Sequence, residues 1–216
     1  MLMMGELADI ILRSIYVSGT ASLIAFLVGL SIVLKSVEVR SKTIILGIFE
    51  ALVGVPTTTI ALLVYLLIFP QGPLGSLNLL YTPHAIILGQ FLVALPVIVS
   101  TLFRPVETTV KDLKELIISL GGDEKQVSWL MFKELAPALI SSYLMGFSRA
   151  IGELGVALIV GGNIAGSTRV LTTAIALMTS MGEYEAAILL GITLIALVIA
   201  ISITLKLLGE FKWTSS

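Results

Sequence analysis

The chain contains no cysteine and a single histidine, His84. Without cysteine it has no disulfide, no thiolate nucleophile and no thiolate metal ligand. With one histidine, neither a zinc constellation nor a Ser–His or Cys–His arrangement of the usual type is indicated. We therefore expect no catalytic activity and no metal site in this chain, and we interpret His84 as a residue of the membrane–water interface.

Charge is scarce as well. Asp, Glu, Lys and Arg make up 12 % of the 216 residues, whereas soluble domains carry about 25 %. Hydrophobic residues make up 57 %, and the mean hydropathy is +1.08. A net charge of −1 provides no basic field for nucleic acid. No G-x-x-x-x-G-K-[ST] motif occurs, so the chain does not bind ATP through a P-loop. The composition predicts an all-α integral membrane protein surrounded by lipid.

Five apolar segments are long enough to cross a hydrocarbon core of about 30 Å. They are approximately residues 14–34, 43–69, 85–103, 135–160 and 186–205. A sixth apolar run, Val170–Met181, is too short to span and is interpreted as interfacial or partly re-entrant. Pro56 predicts a kink in the second span, and Thr82 and Pro83 predict the N-cap and first residue of the third. Without a repeat or a linker, residues 1–216 form a single transmembrane domain.

Basic residues are distributed unevenly between the loops. Ten of the thirteen Lys and Arg residues lie on one side of the predicted membrane, whereas Arg13 and Arg169 alone lie on the other and Arg149 lies within a span. Cytoplasmic loops carry the excess of Lys and Arg. The distribution predicts a multi-pass protein with its N-terminus outside and its C-terminus in the cytoplasm.

Residues 104–134 form a charged loop with five basic and six acidic side chains. Within it, Lys111–Leu120 is amphipathic at helical spacing, Gly121 and Gly122 end that helix, and Asp123 caps a second one. Two short helices with an apolar stripe and a charged rim fit a groove on a soluble partner. The alternative is an ordinary solvated loop.

Arg149 and Glu153 are two charges inside the fourth predicted span. Their spacing of four places them on one helical face, and charges at this depth usually face a bundle interior or a wet cavity. Either they line or gate a pathway, with Arg149 available to a tetrahedral oxyanion, or they form a structural pair at a helix or dimer interface. A lone Arg would hold an anion too tightly, so partial neutralisation by Glu153 fits both interpretations.

Other polar or flexible residues also lie in or beside the spans. Gly161, Gly162 and Asn163 allow a tight turn with positive φ, which is either an external gate or a plain helix C-cap. The hydroxyls of Thr57 and Thr58 either line a polar path or bond back to carbonyls of their own helix.

The segment Glu115–Gly121 (ELIISLG) resembles the Glu-Ala-Ala-three residues-Gly signature in the cytoplasmic loop of ABC-importer permease subunits. It keeps the Glu and the Gly but has Leu116 and Ile117 in place of the alanines. It also has Lys133–Ala136 (KELA) where Leu-Pro is usual, a departure that is similar to the tungstate branch of molybdate/tungstate-type permeases. Further stretches resembling that branch are Gly72–Gly75, Tyr81–Pro83, Phe147–Asn163 and Thr168–Ile175.

This resemblance implies a type I ABC importer permease core of five transmembrane helices plus a cytoplasmic coupling helix, assembled as a homodimer. Glu115, Gly121, Gly122 and Asp123 would contact two cytoplasmic ATPase subunits, which bind the ATP and Mg that this chain does not hold. An extracytoplasmic binding protein would deliver an oxyanion, with tungstate first and molybdate next. The implied location is the inner membrane of a prokaryotic cell, in contact with lipid and without a nucleic-acid partner.

A secondary transporter driven by an ion gradient is the alternative function. Such folds usually show internal repeats, and none is visible here, while five spans do not divide into two halves. A carrier of that type also has no need of a helix–glycine–helix docking element. An intramembrane enzyme is disfavoured by the missing metal and nucleophile constellations.

Overall fold

The computed structural model describes residues 4–119 and 124–211, and within these ranges all regular structure is helical. The described α-helices are α1 (Met4–Ser36), α2 (Lys42–Val53), α3 (Thr57–Ile68), α4 (Pro83–Ser119), α5 (Glu124–Ile151), α6 (Gly155–Ile159), α7 (Leu171–Ser180) and α8 (Tyr184–Phe211). A short 3₁₀ turn lies at Gly75–Leu77. The all-helical fold class predicted from composition is confirmed.

Small residues bring α1, α4 and α5 together at the centre of the fold. Ala25 of α1, Ala94 and Ile98 of α4, and Ala150 of α5 form one buried cluster. Gly146 of α5 lies directly against the Ile98 side chain, where a Cβ atom has no room. Helices in lipid associate by close van der Waals packing, which small residues permit. These three helices therefore form the scaffold on which the shorter elements pack.

Two larger apolar clusters divide the bundle along its length. We call the cluster toward the predicted outer side the outer core and the other the inner core. The outer core joins α1, α3, α4 and α6 through Val17, Ala21, Ala61, Val64, Ile68, Ile86, Val156 and Val160. The inner core joins α1, α2, α4 and α5 through Val33, Leu46, Val99, Leu102, Phe103, Val106 and Leu135. Consequently α2 and α3 belong to different cores although they are neighbours in the chain.

The second predicted span, residues 43–69, is two helices rather than one. The α2 and α3 axes are bent by 96° at the break between Val53 and Thr57. Pro56 has an extended backbone conformation, with φ −57° and ψ 128°, and serves as the N-cap of α3. Proline has no N–H to continue a helix and disfavours the α conformation of the residue before it. The interruption predicted at Pro56 is confirmed, but it is a sharp bend and not a mild kink.

The other predicted spans differ in how continuous they are. Residues 14–34, 85–103 and 186–205 lie inside α1, α4 and α8, which are each long and apolar enough to cross a membrane. The fourth, residues 135–160, is interrupted because α5 ends at Ile151 and α6 begins at Gly155. Among the described residues three helices meet the length and composition of a span, or four if the bent pair counts as one. The number five therefore stays a prediction.

The charged loop is more helical than its sequence indicated. α4 continues without interruption from Pro83 to Ser119, so the amphipathic segment extends the third spanning helix and is not a separate element. The predicted corner, Gly121–Asp123, lies outside the described residues. Thr82 accepts a hydrogen bond from the Ala85 N–H at 3.4 Å, which confirms the predicted cap of α4.

The short apolar run after Arg169 forms α7, which packs with α8 and with Ile10 of α1. α8 itself is mostly exposed, with an apolar stripe along its outer face. This stripe consists of Ile188, Ile192, Ile195, Ile199 and Ile203. A helix of this kind is suited to contact with lipid.

Candidate functional site

The interruption between α5 and α6 is built around Glu153. Its side chain is only 3 % exposed. Oε2 accepts a hydrogen bond from Nη1 of Arg149 at 2.9 Å, and Oε1 accepts one from the Val156 N–H at 3.2 Å. The backbone carbonyl of Glu153 accepts a hydrogen bond from Oγ1 of Thr172 at 3.2 Å. One buried acidic residue thus connects the end of α5, the start of α6 and the first turn of α7.

Arg149 and Glu153 differ in exposure. The Arg149 side chain is 35 % exposed, so it is accessible from the protein surface. The predicted contact between these two residues is observed as a salt bridge at 2.9 Å, but Glu153 lies in the break after α5 and not on a helical face. Each of the two interpretations, pathway residue or structural pair, is compatible with this contact. A pair with a purely structural role would not require the Arg149 side chain to be exposed.

The start of α3 lies beside the same interruption. A Cβ atom on Gly155 would lie 3.3 Å from Oε1 of Glu153, 3.5 Å from Oγ1 of Thr57 and 3.4 Å from Cγ2 of Thr58. Thr57 is half-buried and Thr58 is exposed. The fold therefore brings together four predicted site residues from two interrupted spans.

The threonine hydroxyls at the start of α3 do not bond back to their own helix. Among the described residues, neither Thr57 nor Thr58 has a side-chain hydrogen bond, although threonines elsewhere, such as Thr101 with Val97, do bond back. The bend at Pro56 removes the preceding helical turn whose carbonyls would accept such bonds. The first N–H groups of a helix also lack intrahelical partners. The start of α3 therefore presents unpaired donors beside Gly155, at the α5–α6 interruption.

The turn after α6 has the backbone conformation that its sequence predicted. Gly162 and Asn163 have φ values of 71° and 51°. A Cβ atom on Gly162 would lie 2.7 Å from Cδ1 of Tyr81, so only glycine fits there. Thr168 closes the turn, since it accepts a hydrogen bond from the Ile164 N–H at 2.9 Å and donates one to the Gly161 carbonyl at 2.5 Å. Because a side chain from outside α6 closes the turn, the turn is more than a simple helix C-cap.

The same turn is tied to α1 by the two basic residues of the predicted outer side. Arg169 donates to Oδ1 of Asn163 at 3.3 Å and forms an ion pair with Glu6 at 3.3 Å. Arg13 donates to the Arg169 carbonyl at 3.0 Å. Residues predicted to share one side of the membrane therefore meet at one end of the fold.

The predicted coupling residues are only partly described. Glu115 is exposed on α4, beyond the inner core and toward the end of that helix. Gly121, Gly122 and Asp123 lie outside the described residues. No group of three or more His, Cys, Asp or Glu residues that could hold a metal ion occurs within 4–119 and 124–211.

Gln90 is a polar residue that the sequence interpretation missed. It lies on α4 and is 1 % exposed, and its Oε1 has no hydrogen-bond partner within the described part of the chain. The preceding residue, Gly89, packs against Val156 of α6, and Ala94 one turn further packs with Ala150 of α5. Gln90 thus lies near the α5–α6 interruption. An amide in an otherwise apolar, uncharged span was the signal that could have identified it.

Comparison with known proteins adds to this geometry. The family model described as "Binding-protein-dependent transport system inner membrane component" matches residues 21–210. The chain belongs to this family. The match spans most of the described fold, from α1 to the end of α8, and it confirms the resemblance to ABC-importer permeases drawn from the motifs. Members of this family are transport permeases and not catalytic proteins.

Three transport permeases are each more than one-third identical to the chain. The chain is 37 % identical over 207 residues to the tungstate uptake system permease protein TupB of Peptoclostridium acidaminophilum, covering 95 % of this chain and 91 % of that one. It is 39 % identical over 171 residues to TupB of Campylobacter jejuni, covering 79 % and 72 %. It is 36 % identical over 203 residues to a probable anion ABC transporter permease of Haloferax volcanii, covering 91 % and 88 %. None of these supports the ion-gradient carrier.

Proposed function

We propose that this chain is the transmembrane subunit of an ATP-driven importer for tungstate, with molybdate as the next substrate. The observation that supports it most directly is the family match together with two relatives named as tungstate uptake permeases. The third relative is named for anion transport, which agrees with an oxyanion as the transported species. The intramembrane Arg149 is a chemically suitable contact for such an anion.

The translocation pathway runs between two copies of the chain in this proposal. Thr58, Thr59 and Leu154 are exposed beside the α5–α6 interruption, and Arg149 is partly exposed there. Polar groups within a membrane span face protein or water and not lipid. A second copy, related by two-fold symmetry, covers this face and doubles the number of donors along the path.

The start of α3 contributes to the pathway through its N–H groups and hydroxyls. A helix N-terminus has a partial positive charge, and interrupted membrane helices direct such termini at anionic substrates in several transporter folds. Thr57 and Thr58 have hydroxyls without protein partners among the described residues. Together with Arg149 they form a donor surface for a tetrahedral oxyanion.

Two cytoplasmic ATPase subunits supply the energy, since the chain has no P-loop of its own. Their docking element is the segment from Glu115 to Asp123, on the side that has ten of the thirteen basic residues. The N-terminus lies outside, and the C-terminus lies in the cytoplasm. ATP-driven closure of the ATPases moves this segment, and the uninterrupted α4 transmits the movement into the bundle.

An extracytoplasmic binding protein delivers the anion at the opposite end. The turn at Gly161–Asn163 faces that side in the proposed orientation, where Arg169 and Glu6 fix it to α1. This turn acts as the external gate. The turn follows α6, the five-residue helix that begins two residues after Glu153.

Tungstate uptake by the assembled complex tests the proposal. The chain is expressed with the ATPase and binding protein encoded beside it, in cells that lack high-affinity tungstate uptake, and accumulation is measured by mass spectrometry of the metal. We expect saturable, ATPase-dependent uptake that molybdate inhibits and sulfate inhibits less. Matched cells without this chain are the control. Uptake that persists without the ATPase and collapses with the ion gradient would overturn the proposal in favour of the secondary carrier.

A further inference from the structure

The two carboxylate oxygens of Glu153 have different partners. Oε2 accepts from Arg149 at 2.9 Å, while Oε1 accepts from the Val156 N–H at 3.2 Å. Arg and carboxylate neutralise each other best when two parallel hydrogen bonds join one guanidinium to both oxygens. Here only Oε2 pairs with Arg149, and Oε1 accepts the hydrogen bond at the start of α6. Glu153 therefore keeps a hydrogen bond even when Arg149 is withdrawn.

Glu153 and Arg149 also differ in how many contacts hold each residue in place. Glu153 is fixed at both ends: its carbonyl accepts from Thr172 at 3.2 Å, its N–H donates to the Ala150 carbonyl at 3.1 Å, and its side chain is 3 % exposed. Within the described residues Arg149 has no side-chain hydrogen bond except the one to Glu153, and its side chain is 35 % exposed. At this surface the Arg149 side chain is accessible, whereas the Glu153 side chain is almost wholly buried.

We propose that Glu153 is a positioning residue that acts as an exchangeable counter-ion for Arg149. With the pathway empty, Glu153 holds the guanidinium against the α5–α6 interruption. When an oxyanion passes, the Arg149 guanidinium leaves Oε2 and binds the anion, while the hydrogen bond from the Val156 N–H to Oε1 remains. After the anion moves on, Glu153 recaptures Arg149. This inference rests on the proposed function, because it needs an oxyanion pathway at this surface.

The physical reason for such a device is reversibility. A transported ion must bind well enough to enter and weakly enough to leave. A guanidinium without a counter-ion, in a partly water-excluded site, attracts a dianion strongly because the local dielectric constant is low. Glu153 competes for the same guanidinium, so the anion binds only by displacing it. The remaining bond to Val156 lowers the cost of that displacement, since a buried carboxylate without any partner is strongly unfavourable.

Removing the charge of Glu153 without removing its hydrogen-bond acceptor tests this role. Glu153→Gln keeps an oxygen for the Val156 N–H and therefore keeps the start of α6. We expect the assembled importer with this variant to bind tungstate about tenfold more tightly, which corresponds to ~1.4 kcal/mol, and to show a lower maximal uptake rate. Binding is measured by equilibrium dialysis of the purified complex, and uptake is measured in cells.

Three further variants separate this role from a structural one. In the double variant Arg149→Gln/Glu153→Gln the gain in affinity should disappear, because it requires the guanidinium. Glu50→Gln, which removes an exposed carboxylate on α2, is the control and should match the wild type. Glu153→Ala loses the acceptor as well and should lower the thermal unfolding midpoint, which Glu153→Gln leaves near that of the wild type.

The outcomes distinguish this inference from the proposed function. If the wild-type complex transports tungstate but Glu153→Gln binds it within about twofold of wild type, the counter-ion role is wrong and the importer stands. Tightening that persists in the double variant also overturns the role. If the wild-type complex neither binds nor transports tungstate, the proposed function fails and this inference fails with it.

Discussion

Ser14 of α1 caps α7, a helix 157 positions further along the chain. Its hydroxyl accepts a hydrogen bond from the Leu171 N–H at 2.8 Å and donates one to the Ile10 carbonyl at 2.7 Å. Ser14 is 2 % exposed. A helix N-terminus normally obtains this bond from a residue just before it, but Val170 occupies that position and has no oxygen in its side chain.

Replacing Ser14 should therefore destabilise the contact between α1 and α7. We expect Ser14→Ala to cost about 1 kcal/mol, the usual loss for a missing N-cap, because the buried Leu171 N–H is left without a partner. The control is Ser31→Ala, since Ser31 is exposed and bonds only within its own helix, to Leu27. Thermal unfolding of the purified protein in detergent measures both. Equal midpoints for the two variants would show that the capping bond is not stabilising.

Gly146 should not tolerate a methyl group. A Cβ atom there meets Ile98 of α4 at a distance that no neighbouring atom can accept without moving. We expect Gly146→Ala to destabilise the protein by roughly 1–3 kcal/mol through overpacking. Gly19→Ala is the matched control, because nothing lies within 4 Å of its Cβ position and alanine favours helix. A lower unfolding midpoint for Gly146→Ala than for Gly19→Ala is the expected result, and the reverse order would contradict the packing described for α4 and α5.

Arg149 should be required for uptake but not for assembly. Arg149→Ala removes the only described side-chain partner of Oε2 of Glu153, yet the bond to Val156 remains and α6 keeps its start. We expect tungstate uptake to fall to background while the complex still purifies with its ATPase. Arg40→Ala, at an exposed position in the turn after α1, is the control and should transport normally. Normal uptake by an assembled Arg149→Ala complex would leave Arg149 with a structural role only.

The charged loop, residues 104–134, should be required for binding of the ATPase subunits. We expect the double variant Glu115→Ala/Gly121→Pro to lose the ATPase subunits on co-purification, since it removes an exposed charge and stiffens the predicted corner. Glu183→Ala changes an equally exposed carboxylate just before α8 and should retain them. If the double variant binds the ATPase as well as the wild type does, then docking occurs elsewhere on the chain.

Several elements of the fold could be predicted from the sequence because they depend on local chemistry. Uninterrupted apolar length predicted α1, α4 and α8, and the Thr82–Pro83 pair predicted where α4 begins. The i, i+4 spacing of Arg149 and Glu153 predicted their contact. Gly162 and Asn163 predicted positive φ, since these residue types adopt it at low cost.

Other features depend on contacts between distant parts of the chain. The sequence of the fourth span contains no proline near Gly152, so its interruption was missed; there Glu153 caps α6 and Thr172 holds its carbonyl. The proximity of Thr57 to Gly155 arises only when two interrupted spans pack together. The charges after residue 103 indicate where the third span ends but not where α4 ends, because a helix continues into water as long as its backbone hydrogen bonds do.

The bend between α2 and α3 has a consequence for the energetics of motion. Each helix is anchored in a different core, and the three residues between them belong to neither helix. A change of angle at Pro56 therefore leaves the interior of both helices intact and affects only the end-turn hydrogen bonds that Gly54, Val55 and Pro56 make. Rotating α3 against α2 therefore changes the backbone mainly at this junction, whereas α1 and α4 run unbroken through both cores. An unbroken helix in place of α2 and α3 would have been a third rigid connection between the two cores. The joint lies next to Thr57 and Thr58, which are donors to the anion in the proposed pathway.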